Sequence, residues 1–186
     1  MKTPLSLAIS LICSLVIGLN IFTAAQAGAD AFHAGPLIPD FGKIAAIDSD
    51  MPIPEGTVFK VSFDLAKQAE PGEVSRHIGS IARFLNMHVE NGVDPKDLHV
   101  AIVVHGSAVK DFLNAKTYAA TLDIDNANAG LVKALIDNGV EIILCGQSAA
   151  YHDVNKGDLL PGVKMALSAM TAHALLQQRD YTLNPF

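Results

Sequence analysis

The chain has 186 residues, half of them hydrophobic, with a net charge of −6 at pH 7 and no tryptophan. That length supports one domain with a substantial core and is short for two. With 13 Lys and Arg against 19 Asp and Glu and no basic cluster, the chain does not read as a binder of phosphate backbones, so no nucleic-acid partner is expected.

Lys2, a mostly apolar run from Leu5 to Phe22 and the A-x-A site Ala25-Gln26-Ala27 describe a signal peptide over residues 1–27. Its cleavage predicts a periplasmic or secreted protein with no membrane segment left. An uncleaved anchor is the alternative, because the apolar run approaches the length of a short span. Cys13 leaves with the signal, so Cys145 is the single cysteine of the mature chain and an intramolecular disulfide is ruled out. In an oxidising compartment such a thiol is buried and inert, paired between chains, or kept for chemistry.

Residues 28–55 form a leader punctuated by Gly35-Pro36, Ile38-Pro39, Met51-Pro52 and Ile53-Pro54, a pattern of extended chain. Its hydrophobes Phe32, Leu37, Ile38, Phe41 and Ile44 are too many for a free linker, so the leader is expected to pack on the domain or on a neighbouring subunit.

The domain proper is expected over residues 56–186. Thr57 to Phe63 alternates apolar and polar residues, a first strand. A helix opening at Pro71-Gly72-Glu73 carries Val74, Ile78, Ile81, Leu85 and Val89 at helical spacing and stops at Asn91-Gly92. His77 and His88 ride on it as solvated or groove-lining residues. Leu98 to Val104 is a nearly continuous apolar strand, as expected when helices cover both faces of a parallel sheet. Asp111 to Asp125 has no clean period and reads as a short helix and a loop. Asn126 to Asn138 is a helix with Leu131, Val132, Leu135 and Ile136 on one stripe.

The strand Val140 to Leu144 then delivers Cys145 to Gly146-Gln147-Ser148, where a helix can begin. After a polar connection, Val163 to Ala166 forms a short strand, Ser168 caps a helix running to about Gln178, and Tyr181 to Leu183 makes an edge strand. This order predicts an α/β fold: a three-layer αβα sandwich around a mostly parallel sheet of about five strands.

Two strands end alike, one in His105-Gly106-Ser107 and the other in Cys145-Gly146-Gln147-Ser148. In parallel α/β sheets, ligand sites form beyond the carboxyl ends of the strands. If the two strands are neighbours, His105 and Cys145 open onto one rim, lined by Gly106, Ser107, Gly146, Gln147 and Ser148. Cys145 is then a candidate nucleophile, with His105 and His152 as candidate modulators of its acidity. The alternative reading makes Cys145 a buried small hydrophobe and His105 a turn cap.

The chain lacks a Gly-x-Gly-x-x-Gly, a phosphate-binding loop, a His-Glu-x-x-His and a Cys-x-x-Cys. Its seven histidines show no ligand spacing, so neither a metal nor a cofactor is expected.

Together, the first strand, the apolar strand into His105-Gly106, the segment Asn138-Gly139-Val140 through Leu144-Cys145-Gly146-Gln147-Ser148, and Leu159-Leu160-Pro161-Gly162-Val163 with the helix behind it resemble the DsrE/DsrF-like family of small sulfur-relay proteins. The likeness covers roughly residues 57–186. It implies a flavodoxin-like αβα domain that assembles into oligomers. In relay members a cysteine at the end of the corresponding strand carries sulfur as a persulfide, a role the resemblance assigns to Cys145. Relay members are cytoplasmic and carry Arg-Gly where this chain has His152-Asp153.

The expected function is thus an exported protein that binds or transfers sulfur on Cys145, as a homo-oligomer with a sulfur-donor or acceptor protein as partner. Its rival is a non-catalytic oligomeric module that binds a small ligand and has a structural cysteine. A third possibility is an inter-subunit disulfide at Cys145.

Overall fold

A computed structural model of the chain describes residues 28–185; the expected signal peptide over residues 1–27 lies outside the described residues. In chain order the elements are β1 (Phe59–Leu65), α1 (Arg76–Glu90), β2 (Leu98–Val104), α2 (Ala115–Leu122), α3 (Ala129–Asp137), β3 (Glu141–Cys145), α4 (Gly146–Tyr151), β4 (Lys164–Ala166), α5 (Ala169–Gln177) and β5 (Thr182–Asn184). The five strands form one sheet in the order β4-β3-β2-β1-β5, and every pairing is parallel. This is the expected three-layer α/β sandwich, with a wholly parallel sheet. No helix among the described residues is long and apolar enough to cross a membrane.

The sheet is buried unequally. One face contributes Phe63, Leu65, Val100, Ile102, Val104, Ile142 and Leu144 to the main core, which also holds Ile78, Ile81 and Leu85 of α1 and Leu131, Val132 and Leu135 of α3. The other face has a smaller core in which Ala101 and Val103 meet Ala172 and Leu176 of α5. Three successive steps from β1 to β4 run in one direction across the sheet, and right-handed crossovers place their helices on one face. The return from β4 to β5 must then pass over the opposite face, and α5 makes it.

Local caps set the helix ends. The helix expected from Pro71 begins at Arg76, because the Ser75 hydroxyl accepts from the Ile78 N–H at 3.3 Å and satisfies a first-turn donor. Asn114 caps α2 through the Thr117 N–H at 2.9 Å, making a regular helix of half the aperiodic stretch. Ser168 caps α5 through the Thr171 N–H at 3.0 Å, as its position in the sequence suggested.

The leader packs on its own domain. Asn86, fully buried on α1, accepts from the Leu37 and Ile38 N–H groups at 3.1 and 2.8 Å. Its amide donates to the carbonyls of Ile38, Phe41 and Gly42 at 2.9 to 3.1 Å. The chain passes so close to α1 that a Cβ on Gly42 (φ +66°) would lie 2.3 Å from the Arg83 nitrogen. Ile38 and Ile44 are buried as a result.

Asn86→Ala is expected to cost about 3 kcal/mol, since five hydrogen bonds vanish and several buried leader groups lose their partners. Chemical denaturation measures the cost, and limited proteolysis should show new cleavage between His33 and Ile44.

Candidate functional site

The geometry of the rim follows from the return crossover. β3 leads into α4, whose Ala149 lies in the main core, whereas β4 leads into α5 on the opposite face. The chain therefore leaves two neighbouring strands towards opposite faces, and a crevice opens at their carboxyl ends. Cys145 sits in that crevice, paired in register with Ala166 of β4.

Cys145 is 5% exposed and is not disulfide-bonded. Its Sγ accepts from the Ser148 N–H at 3.5 Å. Burial pushes the thiol up, but the Ser148 hydroxyl and the backbone N–H groups of Ser148, Ala169 and Gln147 outweigh it, and the net displacement is downward. These donors favour the thiolate because they face the charge that forms on sulfur.

A cavity of about 320 Å³ opens on the thiol, lined by Asp64, His105, Cys145, Gln147, Ser148, Ser168, Ala169, Met170 and His173. His105 and Cys145 do share this rim, on adjacent strands β2 and β3. The His105 side chain does not cap the turn that follows it; its Nε2 lies 3.0 Å from Asp64 Oδ2. The other oxygen of Asp64 faces His173 Nε2 at 2.7 Å. One carboxylate thus joins two imidazoles. Burial works against its ionisation, and the hydrogen bonds and charges of His105 and His173 override it, holding the Asp64 carboxyl below its ordinary range.

The remaining expected site residues divide between two places. Gln147 and Ser148 line the thiol cavity and also a second one of about 450 Å³ with Gly106, Ser107, Tyr151 and His152. His152 stands there edge-on to Tyr151, with ring centroids 5.0 Å apart. Gly146 passes so close to β4 that a Cβ would meet the Ala166 carbonyl at 2.7 Å. Gly106 (φ +55°) donates its N–H to the Ser148 hydroxyl at 3.0 Å, which ties the end of β2 to α4.

Asp64 and His173 were not singled out by the sequence. Asp64 carried one local signal, a charged residue at the carboxyl end of an apolar strand. His173 sits within a helix and carried none. No group of three or more His, Cys, Asp or Glu among the described residues is placed to hold a metal ion.

Behind the rim, Asp111 is fully buried. Its Oδ2 accepts from the Ala69 N–H at 2.9 Å, while Oδ1 is buried with no hydrogen-bond partner among the described residues. Burial pushes its carboxyl up to about 6, against the pull of the Ala69 N–H.

The comparisons agree with this architecture. The sequence profile of the DsrE/DsrF-like family matches residues 60–185. The structure of a protein of unknown function, MTH1491 from Methanobacterium thermoautotrophicum, is similar with a TM-score of 0.53 and 18% identity, covering 69% of this chain and 99% of that one. The ychN protein from E. coli is similar with a TM-score of 0.52 and 12% identity, covering 69% of this chain and 100% of its own. At these identities the likeness concerns the fold. No curated protein gives a significant match.

Two outcomes follow. Ser148→Ala removes a donor to the thiolate and should slow Cys145 alkylation several-fold at pH 7, with the wild-type rate regained at high pH where the thiol ionises unaided. Asp111 binds its proton more tightly when folded, so the stability it contributes is full below pH 3.8 and is lost as pH rises through about 6. That difference corresponds to about 3 kcal/mol. Asp111→Asn should flatten the fall in stability across this window, as measured by denaturation at pH 4 to 7.

Proposed function

The chain belongs to the DsrE/DsrF-like family, and from that premise we propose that it is an exported member that accepts and passes on sulfur as a persulfide of Cys145. The observation that carries this reading is the state of Cys145: a thiol turned towards ionisation by surrounding donors that lines an open cavity beside Asp64, His105 and His173. An inert core cysteine would have burial alone acting on it, which moves a thiol the other way.

In the loading step the Cys145 thiolate attacks a sulfane sulfur of thiosulfate or polysulfide. A bond forms between Sγ and that sulfur, the S–S bond of the donor breaks, and sulfite or a shortened polysulfide leaves with the electron pair. In the unloading step an acceptor thiolate attacks the terminal sulfur, and Cys145 leaves as thiolate. The persulfide anion is held by the same N–H groups that favour the thiolate.

Lys2, the apolar run and the A-x-A site support export to a periplasmic or extracellular location. Met170, at the cavity, and the nearby Leu167 are large apolar residues that are mostly exposed, which supports a homo-oligomer or a docking donor or acceptor protein.

Intact mass after incubation with thiosulfate or polysulfide tests the proposal. Wild type should gain one or two sulfur atoms that a reducing thiol removes, and Cys145→Ser should gain none. Absence of any adduct on wild type, together with slow alkylation, would favour a binding module with a structural cysteine.

A further inference from the structure

Resting on the persulfide reading of Cys145, we infer that Asp64 and His173 are positioning residues that hold the His105 imidazole as the proton acceptor and donor of the loading step. Three elements distant in sequence supply this unit: Asp64 from β1, His105 from the end of β2 and His173 from α5. Both oxygens of one carboxylate are engaged, at 3.0 Å by His105 and 2.7 Å by His173.

A rim ion pair adds little stability on its own, but a carboxylate on one ring nitrogen of a histidine fixes the tautomer and orientation of the ring. With Nε2–H donated to Asp64, the neutral His105 ring presents the lone pair of Nδ1. His105 is the ring a small molecule can reach, since its side chain is 32% exposed against 17% for His173, and His173 Nδ1 is buried without a partner among the described residues.

The remaining residues around the cavity, Gln147, Ser148, Ser168, Ala169 and Met170, carry no titratable group. Proton traffic at the thiol thus falls to the two histidines and the carboxylate.

The balance of the step shows why a proton carrier helps. Cys145–SH and thiosulfate dianion become Cys145–S–S⁻ and hydrogen sulfite. One proton leaves Sγ as the attacking thiolate is generated, and one proton reaches the departing sulfite as the old S–S bond breaks. His105, which lines the same cavity as the thiol, takes the first and returns it to the leaving group. Asp64 stabilises the imidazolium that exists in between, and His173 holds the carboxylate in place.

Two reagents separate this role from a structural one. Thiosulfate expels sulfite, which takes a proton, whereas methyl methanethiosulfonate forms Cys145–S–S–CH3 and expels a sulfinate that leaves without one. In the mature protein, Asp64→Asn and His173→Gln should each slow thiosulfate loading at pH 7 by about tenfold or more, with Asp64→Glu partly restoring it. At a pH where the thiol is fully ionised, their rates with the methanethiosulfonate should match wild type within about twofold. Equal slowing with both reagents, or no slowing with either, overturns the assignment.

If wild type takes no sulfur from thiosulfate, the persulfide reading itself fails, and the pH profile of the methanethiosulfonate reaction still decides on the unit. Asp64→Asn should shift that profile along pH, since it alters the charge on the cavity that the thiol shares with His105, and an unmoved profile refutes the role of Asp64.

Discussion

The handedness of the crossovers is the constraint on which the site depends. Stepping from β1 to β4 in one direction commits the intervening helices to one face of the sheet. The chain can bury the other face only by returning across it, and the nine-residue helix α5 makes that return. The same return opens the crevice in which Cys145 lies. It brings the Ala169 N–H to the thiol and carries His173 across the sheet to Asp64. A sheet that simply continued beyond β4 would present a thiol at a strand end with none of these neighbours.

Within the rim, two acids show how the number of donors decides the sign of a pKa displacement. Burial raises both Cys145 and Asp111. At Cys145 a hydroxyl and three backbone N–H groups oppose it and prevail. At Asp111 a single backbone N–H opposes it, the second carboxylate oxygen is left without a partner, and burial prevails, taking the carboxyl to about 6. The setting of the thiol is thus built largely from converging backbone donors, which strand ends and helix starts supply. Asp111 instead secures the Ala69 N–H beside the rim, at the cost of holding its carboxyl in a largely dry setting.

The leader extends the domain rather than merely preceding it. The family match begins at residue 60, yet residues 37–42 are bound through Asn86, and Ile38 joins the main core. One buried side-chain amide suffices for this because its oxygen and nitrogen together satisfy backbone groups on both limbs of the leader turn. The turn lies on α1, away from the cavity that holds Cys145.

How much of this was legible depended on the range of the interaction. Periodicity and caps act over a few residues. The strands around Phe63, Val100 and Leu144, the stripe Ile78, Ile81 and Leu85, and the Ser168 cap could be read directly, and their order implied the α/β sandwich. The start of α1 was misplaced by five residues because Pro71-Gly72 is as much a turn as a helix opening, and Ser75 won through its hydrogen bond to Ile78. The pairing of His105 with Cys145 on one rim followed from similar strand endings. His152 could not be assigned to a cavity, because its placement depends on which side of α4 the chain leaves. The bridge from Asp64 to His105 and His173 and the Asn86 clamp could not be read from the sequence for a common reason: the partners lie 41, 109 and up to 49 residues away. By itself the sequence determined the elements and their order, because those rest on local propensity and hydrophobic period. The contacts that bridge the two histidines and bring the Ala169 N–H to the thiol were decided only by tertiary structure, through the right-handed return of α5 across the sheet.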